Sequence, residues 1–291
     1  MAAKRDTDKK QRKSKFVPEQ LEYIKRTGPD YGINEKNLAD GDLYLDTFRF
    51  SGGEFGNWMT DKDRQASLNF GYDALMDLSF ALNIEPCDIS LGGQLSIAFG
   101  SRGHSSAAAH YEPERQVINL TKMRGAGSLA HEWGHALDNI LSKKINNTSA
   151  DTWLTDLKGN VISSVRELMN TIKYRTDTNG LYIKTDFYMN SIKFDSIYSK
   201  ESKGYWQSDR ELFARAFACY IYDKLPYKSD YLCGHANSAV TQISGSNVKA
   251  YPEGKERESI NMCFDKVISQ LKEVGLLHEK NIMVSHKKHG R

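Results

Sequence analysis

The chain has 291 residues, of which 39% are hydrophobic and 26% are charged, which is the composition of an ordinary globular protein. No apolar run approaches the roughly 20 residues needed to cross a bilayer, and charged residues follow Met1–Ala3 where a signal peptide would carry its apolar core. The four cysteines form no CxxC pair, so neither a disulfide framework nor a thiolate zinc knuckle is indicated. We therefore expect a soluble cytoplasmic protein without a membrane partner.

The net charge of +3 is unevenly distributed, because lysines and arginines cluster in residues 1–20 and 276–291. Such tails can make weak contacts with nucleic acid through phosphates, or they can simply be solvated and disordered. We favour the second interpretation. The sequence thus predicts two basic tails around one domain at residues 21–275.

The chain after the first tail is rich in glycine, aspartate and aromatic residues up to about Trp58, which indicates irregular structure with a short strand near Tyr44–Phe50. Thr60 or Asp61 can then cap a helix that ends before Glu85–Pro86. Four leucines recur along it at helical spacing: Leu68, Leu75, Leu78 and Leu82. One face of this helix is therefore expected to be buried.

Three short extended segments follow, at residues 94–100, 107–111 and 116–121. They predict a small sheet, antiparallel in part, because the turn-forming residues 112–115 separate the last two. Gly125 and Gly127 then break the chain before Ser128, which is a good N-cap for a helix from Leu129 to about Ser142.

The remainder of the chain is predicted to be mainly helical. The polar region 145–204 carries two helices, at 161–174 and 186–198, and resembles an inserted helical lobe. Ser208 opens an apolar helix at 211–222, and after a loop an amphipathic helix at 256–274 ends the domain. We expect an α+β fold, mostly helical, with a small mixed sheet next to the helix that begins at Leu129.

The strongest chemical signal is the motif His131-Glu132-Trp133-Gly134-His135. Histidines four residues apart project from the same face of a helix, so both rings can reach one Zn²⁺ ion. Glu132 is offset by one residue and is placed to act as general base on a metal-activated water. The alternative is a pair of surface histidines, which we consider less compatible with the capped, apolar helix.

A catalytic zinc site needs a third protein ligand, and Glu211 is the best candidate. It is a lone acid at the start of a helix whose remainder is almost entirely apolar, and a buried carboxylate favours a cation. Ser208 and Glu211 also match the S-x-x-E capping box, which would give the glutamate a purely local role.

Several further residues are candidates for supporting roles. Asp138 shares the helix face of the two histidines and can accept the second ring N–H of a ligand, or it can be a solvated acid. Tyr205 can donate its phenol to an oxyanion, or it can be an ordinary buried aromatic residue. His110 is interpreted as a strand histidine, although it can also line the cleft, and Cys233 with His235 is a weak candidate metal pair.

Two segments carry a resemblance to a known family. The run Gly125–Asp138, with the downstream run Glu211–Phe217, resembles the gluzincin metallopeptidases. More narrowly, the pattern HExGHAxD with ExFAxAF is similar to the catalytic domain of anthrax lethal factor and its Pro-Pro endopeptidase relatives. The likeness implies zinc bound by His131, His135 and Glu211, with Glu132 as base and a tyrosine near Tyr205 as oxyanion stabiliser.

The chain departs from the lethal-factor type in two respects. The interval between the second histidine and Glu211 is longer, and Tyr205 lies one residue closer to that glutamate. A still closer resemblance, covering about residues 45–270, is to the large polyvalent protein-associated domains of phages and conjugative elements. Five segments carry it: Glu54–Trp58, Ala109–Pro113, Val117–Thr121, Tyr205–Trp206 and Tyr251–Gly254. This resemblance implies a mobile-element origin, and hence the cytoplasm of a bacterial host.

The function expected from the sequence is hydrolysis of peptide bonds by a zinc-dependent endopeptidase. An extended substrate would lie antiparallel to the segment 107–111, and the region 145–204 would close over it. Two alternatives remain: a non-catalytic, zinc-stabilised structural or interaction domain of a mobile-element protein, and a protease that acts on nucleic-acid-bound proteins.

Overall fold

The computed structural model describes residues 21–280 except 35, 57–59, 101–108, 122–124, 160, 199–203, 237–239 and 244. The helices are α1 (Gly41–Phe48), α2 (Asp61–Leu82), α3 (Leu129–Asn146), α4 (Ser163–Lys173), α5 (Asp186–Tyr198), α6 (Asp209–Lys224), α7 (Asp230–Cys233) and α8 (Gly254–Glu273). The strands are β1 (Gly53–Phe55), β2 (Ser96–Phe99), β3 (Ala109–Glu112), β4 (Val117–Leu120), β5 (Tyr174–Thr176), β6 (Tyr182–Lys184), β7 (Val240–Ile243) and β8 (Ser246–Lys249). The predicted α+β class is confirmed.

The basic tails fall largely outside this description, as does the nucleic-acid contact suggested for them. The N-terminal tail and residues 281–291 are not described. Residues 276–280 pack against the domain, since Leu277 is buried and the His278 ring nitrogen lies 3.0 Å from Asp88. Among the residues described, no helix is long and apolar enough to span a membrane.

The sheet next to α3 is mixed, as predicted. Its order is β1-β2-β4-β3, with β1, β2 and β4 parallel and β3 antiparallel to β4. The strand β3 is thus an edge strand, and its register places His110 opposite Asn119. Both β3 and β4 contact α3, which carries the two motif histidines.

The helix α3 packs against α6 in the centre of the core. The Trp133 and Phe217 rings stack with their centroids 5.5 Å apart. Gly134 permits this approach, because a Cβ atom there would lie 3.2 Å from the Phe217 ring and 3.4 Å from Ala214 Cα. The two helices therefore hold His131, His135 and Glu211 on facing surfaces.

The predicted helix after Thr60 is confirmed as α2. The Thr60 side chain accepts a hydrogen bond from Asp63 N, and the Asp63 carboxylate accepts from Thr60 N, which together form a capping box. The helix ends at Asn83, whose left-handed backbone terminates the turn (φ 50°). The four predicted leucines are buried.

The strand predicted near Tyr44–Phe50 is wrong, because α1 occupies that segment. Asp40 caps α1 by accepting a hydrogen bond from Leu43 N at 2.8 Å. Tyr44 and Phe48 are four residues apart and both are buried, which is the spacing of one helix face.

Two hairpins lie where the sequence indicated only a turn or a loop. The turn at residues 177–180, which the sequence Asp-Thr-Asn-Gly favours, joins β5 to β6, and the Asp177 carboxylate accepts from Asn179 N and Leu181 N. The hairpin β7–β8 lies in the predicted loop before Pro252. Within the region 145–204, α4 packs on α8 and contributes Leu168 to the main core.

Ser128 occupies the N-cap position of α3, as the sequence predicts, but it does not cap the helix with its side chain. Its Oγ lies 2.9 Å from His235 Nδ1 instead. The helix also continues to Asn146, four residues beyond the predicted end.

Candidate metal centre and active site

Three predicted ligands converge at the interface of α3 and α6. The Nε2 atoms of His131 and His135 lie 3.1 Å apart. The Oε1 atom of Glu211 lies 3.0 Å from His131 Nε2 and 3.6 Å from His135 Nε2. Among the described residues, this is the group of three whose ligand atoms are close enough to share a metal ion.

The spacing of these three atoms fits a tetrahedral ion. Ligand atoms at roughly 2.0–2.1 Å from a metal, separated by tetrahedral angles, lie about 3.3 Å from one another. The three observed separations, from 3.0 to 3.6 Å, bracket this value. Two neutral imidazoles and one carboxylate also form a donor set that Zn²⁺ accepts.

The surroundings of Glu211 bear on whether it belongs to a capping box or could act as a metal ligand. Ser208 does cap α6, since its Oγ accepts from Glu211 N at 3.3 Å. The reciprocal half of a capping box is missing, because Ser208 N donates to the Tyr205 carbonyl instead. Burial alone would raise the pKa of Glu211, but the neighbouring His131 and His135 hold it well below its ordinary value. The Glu211 carboxylate is therefore an anion that faces the two rings.

Glu132 is buried beside this cluster, with 5% of its surface exposed. Burial raises its pKa to about 7; His135 opposes this shift and the negative charge of Glu211 adds to it. The backbone of Tyr111, in the edge strand β3, forms a hydrogen bond to the Glu132 side chain. A carboxyl group that titrates near neutral pH can both accept and release a proton.

Tyr205 lies at the site but is bonded to a predicted ligand. Its hydroxyl donates to Glu211 Oε1 at 2.9 Å, although half of the residue's surface is exposed. Burial of the hydroxyl, together with the charge of Glu211, raises the pKa of Tyr205 far above its ordinary value. The phenol therefore remains protonated and acts as a donor.

Asp138 has a different partner from the one the sequence suggests. It is fully buried, and its two oxygens accept from Thr155 N at 3.0 Å and from Thr155 Oγ1 at 2.7 Å. The predicted acceptor role toward a ligand ring is thus not formed. His135 Nδ1 is buried and has no hydrogen-bond partner within the described part of the chain.

Two cavities meet at the site and share five residues: Ala109, His131, Glu132, Tyr205 and Glu211. The first, the Trp153 cavity, has a volume of about 270 Å³ and continues past His110, Tyr111 and Pro113. The second, the His235 cavity, has a volume of about 490 Å³ and is bordered by Ser128, Ala218 and Tyr251. Glu132 and two of the candidate ligands, His131 and Glu211, are therefore accessible from both cavities, whereas His135 lines the Trp153 cavity.

The three weaker candidates, His110, Cys233 and His235, occupy different surroundings. His110 lies on β3, as predicted, and also lines the Trp153 cavity. His235 lines the other cavity, whereas Cys233 is buried with its Sγ directed at the Ser229 carbonyl, 3.6 Å away. The group of three candidate ligands found among the described residues contains neither Cys233 nor His235.

Arg215 is a residue near the site that sequence reasoning missed. It lies one helical turn after Glu211 and is 2% exposed. The sequence signal was available, because Arg215 is a charged residue inside the otherwise apolar stretch 212–219. An arginine in such a stretch must find buried acceptors.

The comparisons with known proteins give one match. The model of the family "large polyvalent protein-associated domain 1" matches residues 197–275, which include Tyr205, Glu211 and Arg215 but not α3. No curated protein and no solved structure matches the chain. The match supports the association with phages and other mobile elements that the sequence indicates.

Proposed function

We propose that this protein is a zinc-dependent endopeptidase of the gluzincin type. The observation that carries the proposal is the triangle of His131 Nε2, His135 Nε2 and Glu211 Oε1, whose sides of 3.1, 3.0 and 3.6 Å fit one tetrahedral ion. A buried acid, Glu132, lies beside this triangle at the junction of two cavities. A purely structural zinc site would have neither the acid nor the access.

The residues divide the chemistry as follows. His131, His135 and Glu211 would hold the zinc ion, which would supply Lewis-acid polarisation of the peptide carbonyl and activation of a water molecule. Glu132 takes a proton from the attacking water and delivers it to the leaving amine, so no covalent intermediate forms on the protein. Tyr205, which remains protonated, exchanges its hydrogen bond to Glu211 for one to the oxyanion when that charge develops.

The edge strand gives the substrate a direction. The strand β3 pairs with β4 on one side, so an extended peptide can add to its other side in antiparallel orientation. Its first residue, Ala109, borders both cavities, and the chain then runs along the Trp153 cavity to Pro113. An antiparallel substrate therefore has the N-terminal side of its scissile bond in the Trp153 cavity and the C-terminal side in the His235 cavity.

The biological setting is part of the same proposal. The family match at residues 197–275 supports a protein of a phage or another mobile element, which would act in the cytoplasm of a bacterial host. The substrate would be a protein or peptide of that environment.

The test combines metal analysis with one substitution. We expect the purified protein to bind one zinc per chain, and Glu132→Gln to retain that zinc while hydrolysis of a peptide library falls by about 100-fold or more. The substitution preserves shape and removes the base. Metal content is measured by elemental analysis and cleavage by mass spectrometry.

Three outcomes would overturn parts of this proposal. Absence of stoichiometric zinc would remove the metal centre altogether. Cleavage that persists in Glu132→Gln would remove Glu132 from the base role. Zinc that is bound tightly, is essential for folding and accompanies no cleavage would indicate the structural alternative.

A further inference from the structure

Tyr205, the candidate oxyanion donor, lies in a turn at residues 204–208 whose backbone is fixed by hydrogen bonds. Both amides that follow Tyr205 are bound by one carboxylate: Trp206 N donates to Asp195 Oδ1 at 2.8 Å and Gln207 N donates to Asp195 Oδ2 at 3.0 Å. Asp195 is itself buried on α5. A charged acceptor on two successive amides fixes the path of this turn.

A positively charged residue, Arg215, binds a backbone carbonyl of the same turn. The Arg215 guanidinium donates to the Trp206 carbonyl and to the Ala250 carbonyl. It also donates to Ser191 Oγ at 3.1 Å and to the carbonyl of Glu211 at 3.3 Å. One side chain thus joins the turn, α5, the segment after β8 and the first turn of α6.

The helix α5 presents a matching face to this arginine. Phe187, Ser191 and Asp195 are four residues apart and so project from one side of the helix. The Phe187 ring lies 5.0 Å from the guanidinium carbon, and the Trp206 ring lies 5.1 Å from it. The cation is therefore held between two aromatic rings as well as by its hydrogen bonds.

This arrangement is expensive as a purely structural device. The Arg215 side chain is almost completely buried, and the four hydrogen bonds described above all go to uncharged acceptors, three carbonyls and one hydroxyl. An apolar side chain of similar size would fill the same space without the desolvation of a charge. The guanidinium adds a fixed geometry at four acceptors, and one of these, the Trp206 carbonyl, adjoins Tyr205.

We propose that Arg215 and Asp195 are positioning residues that hold the Tyr205 hydroxyl on Glu211. The inference rests on the proposed function, because it assigns a purpose to the Tyr205 turn within that site. It also gives the region 145–204 a role: its helix α5 supplies Ser191 and Asp195 and thereby supports the metal centre from outside it.

Hydrogen exchange tests the mechanical half of the proposal without substrate or metal. In Arg215→Lys and in Asp195→Asn, the amides of Trp206 and Gln207 should exchange at least about tenfold faster than in the wild type. Arg257→Lys is the matched control, since Arg257 joins α8 to α6 through Asp223 and does not contact the turn. Unchanged exchange in both turn variants would overturn the proposal.

A double-mutant cycle on zinc affinity tests the functional half. Tyr205→Phe removes the donor to Glu211 and should weaken zinc binding about tenfold, measured by competition with a chelator. Arg215→Lys should weaken it similarly, and the double variant should be no weaker than either single variant. Arg257→Lys should add nothing.

The outcomes separate this proposal from the proposed function. Additive losses in Arg215→Lys and Tyr205→Phe would show that the arginine does not act through the tyrosine. If Arg215→Lys does not fold, as judged by thermal melting, the milder Asp195→Asn takes its place in the cycle. If the wild type binds no zinc, the proposed function fails, while the exchange rates still decide whether the two residues hold the turn.

Discussion

Two buried carboxylates in this molecule have opposite surroundings. Asp77, on α2, is fully buried and accepts from Arg26 Nε and Nη2 at 2.8 Å each and from the Tyr31 and Tyr227 hydroxyls at 3.0 Å each. Glu211 is equally buried, but its neighbours are two imidazoles and one phenol. The first acid is fully supplied with donors that belong to the fold.

The two acids differ in whether their neighbours leave room for a cation. Asp77 accepts four hydrogen bonds, three on Oδ1 and one on Oδ2, and the guanidinium among its donors balances its charge locally. The rings near Glu211 are themselves metal ligands when neutral, and the group borders two cavities. Burial of an acid therefore indicates function only when its neighbours leave a place for a cation.

Exchanging each acid for its amide should produce the largest and most clearly separated effects. Glu211→Gln is expected to weaken zinc binding more than about 100-fold, because a ligand is lost rather than an outer contact. Asp77→Asn is expected to lower the free energy of unfolding by about 3–5 kcal/mol, since Arg26 is left without its buried partner. Zinc competition and denaturant unfolding of the metal-free proteins measure the two quantities.

The comparison is contradicted if Asp77→Asn changes zinc affinity or if Glu211→Gln leaves zinc affinity unchanged. A zinc-binding loss in Asp77→Asn without unfolding would show that the Arg26 cluster is part of the metal centre. Normal zinc affinity in Glu211→Gln would reduce that glutamate to the capping role that Ser208 also suggests.

A smaller effect is expected from the phenols that bind the two acids. Tyr227→Phe removes one of four donors to Asp77 and should lower stability by about 1 kcal/mol with zinc affinity unchanged. Tyr205→Phe should reverse this pattern, with weaker zinc binding and nearly unchanged unfolding of the metal-free protein. Equal stability losses in both variants would show that Tyr205 serves the fold in the same way as Tyr227.

The smallest effect concerns Asp73, whose Oδ2 lies 3.8 Å from Arg26 Nη1. Asp73 thus adjoins the Arg26 cluster, which consists of Arg26, Tyr31, Asp77 and Tyr227. Burial raises the pKa of Asp73 to about 6 from 3.8; the charge of Arg26 opposes this shift and that of Asp77 adds to it. A raised pKa means that the folded state binds the proton more tightly than the unfolded state, so ionisation destabilises the fold as pH rises from about 4 to 6. Asp73→Asn should therefore gain about 1 kcal/mol over the wild type above pH 6 and nothing below pH 4.

Urea unfolding at several pH values measures this difference. A gain that is the same at pH 4 and pH 7 would assign it to packing or to hydrogen bonding of the amide. No gain at pH 7 would show that Arg26 already neutralises Asp73 in full.

The sequence was sufficient where one local rule dominates. The spacing of His131 and His135 defines a shared helix face, and Thr60, one of the two caps that the sequence predicts, begins α2. The strands β2, β3 and β4 were recognised as short extended segments, the last two separated by the turn-forming residues 112–115. The class of fold follows from these elements.

The failures occur where a distant partner decides. Tyr44 and Phe48 suit either a strand or a helix, and the Asp40 cap together with burial against the core selects α1. Asp138 has the correct spacing for a ligand ring, but Thr155 reaches it first. No local pattern announces such partners, which come together only through the fold.

The Arg26 cluster also could not be predicted from local sequence, because its members come from three distant parts of the chain. Arg26 and Tyr31 precede α1, Asp77 lies within α2, and Tyr227 follows α6. Their convergence depends on the pairing of residues 25–27 with residues 228–230, which the sequence does not suggest.

That pairing has a consequence for how the molecule opens. Thr27 N donates to the Lys228 carbonyl, and four residues before His235 the Tyr231 carbonyl accepts from Gly127 N, immediately ahead of α3. His235 N in turn donates to the Gly127 carbonyl at 3.2 Å. The segment 228–235 thus carries backbone hydrogen bonds both to the N-terminal segment and to the turn before the helix that carries the motif. We therefore expect that loss of the N-terminal segment loosens α7 and, through it, the Gly127 turn that precedes the helix bearing His131.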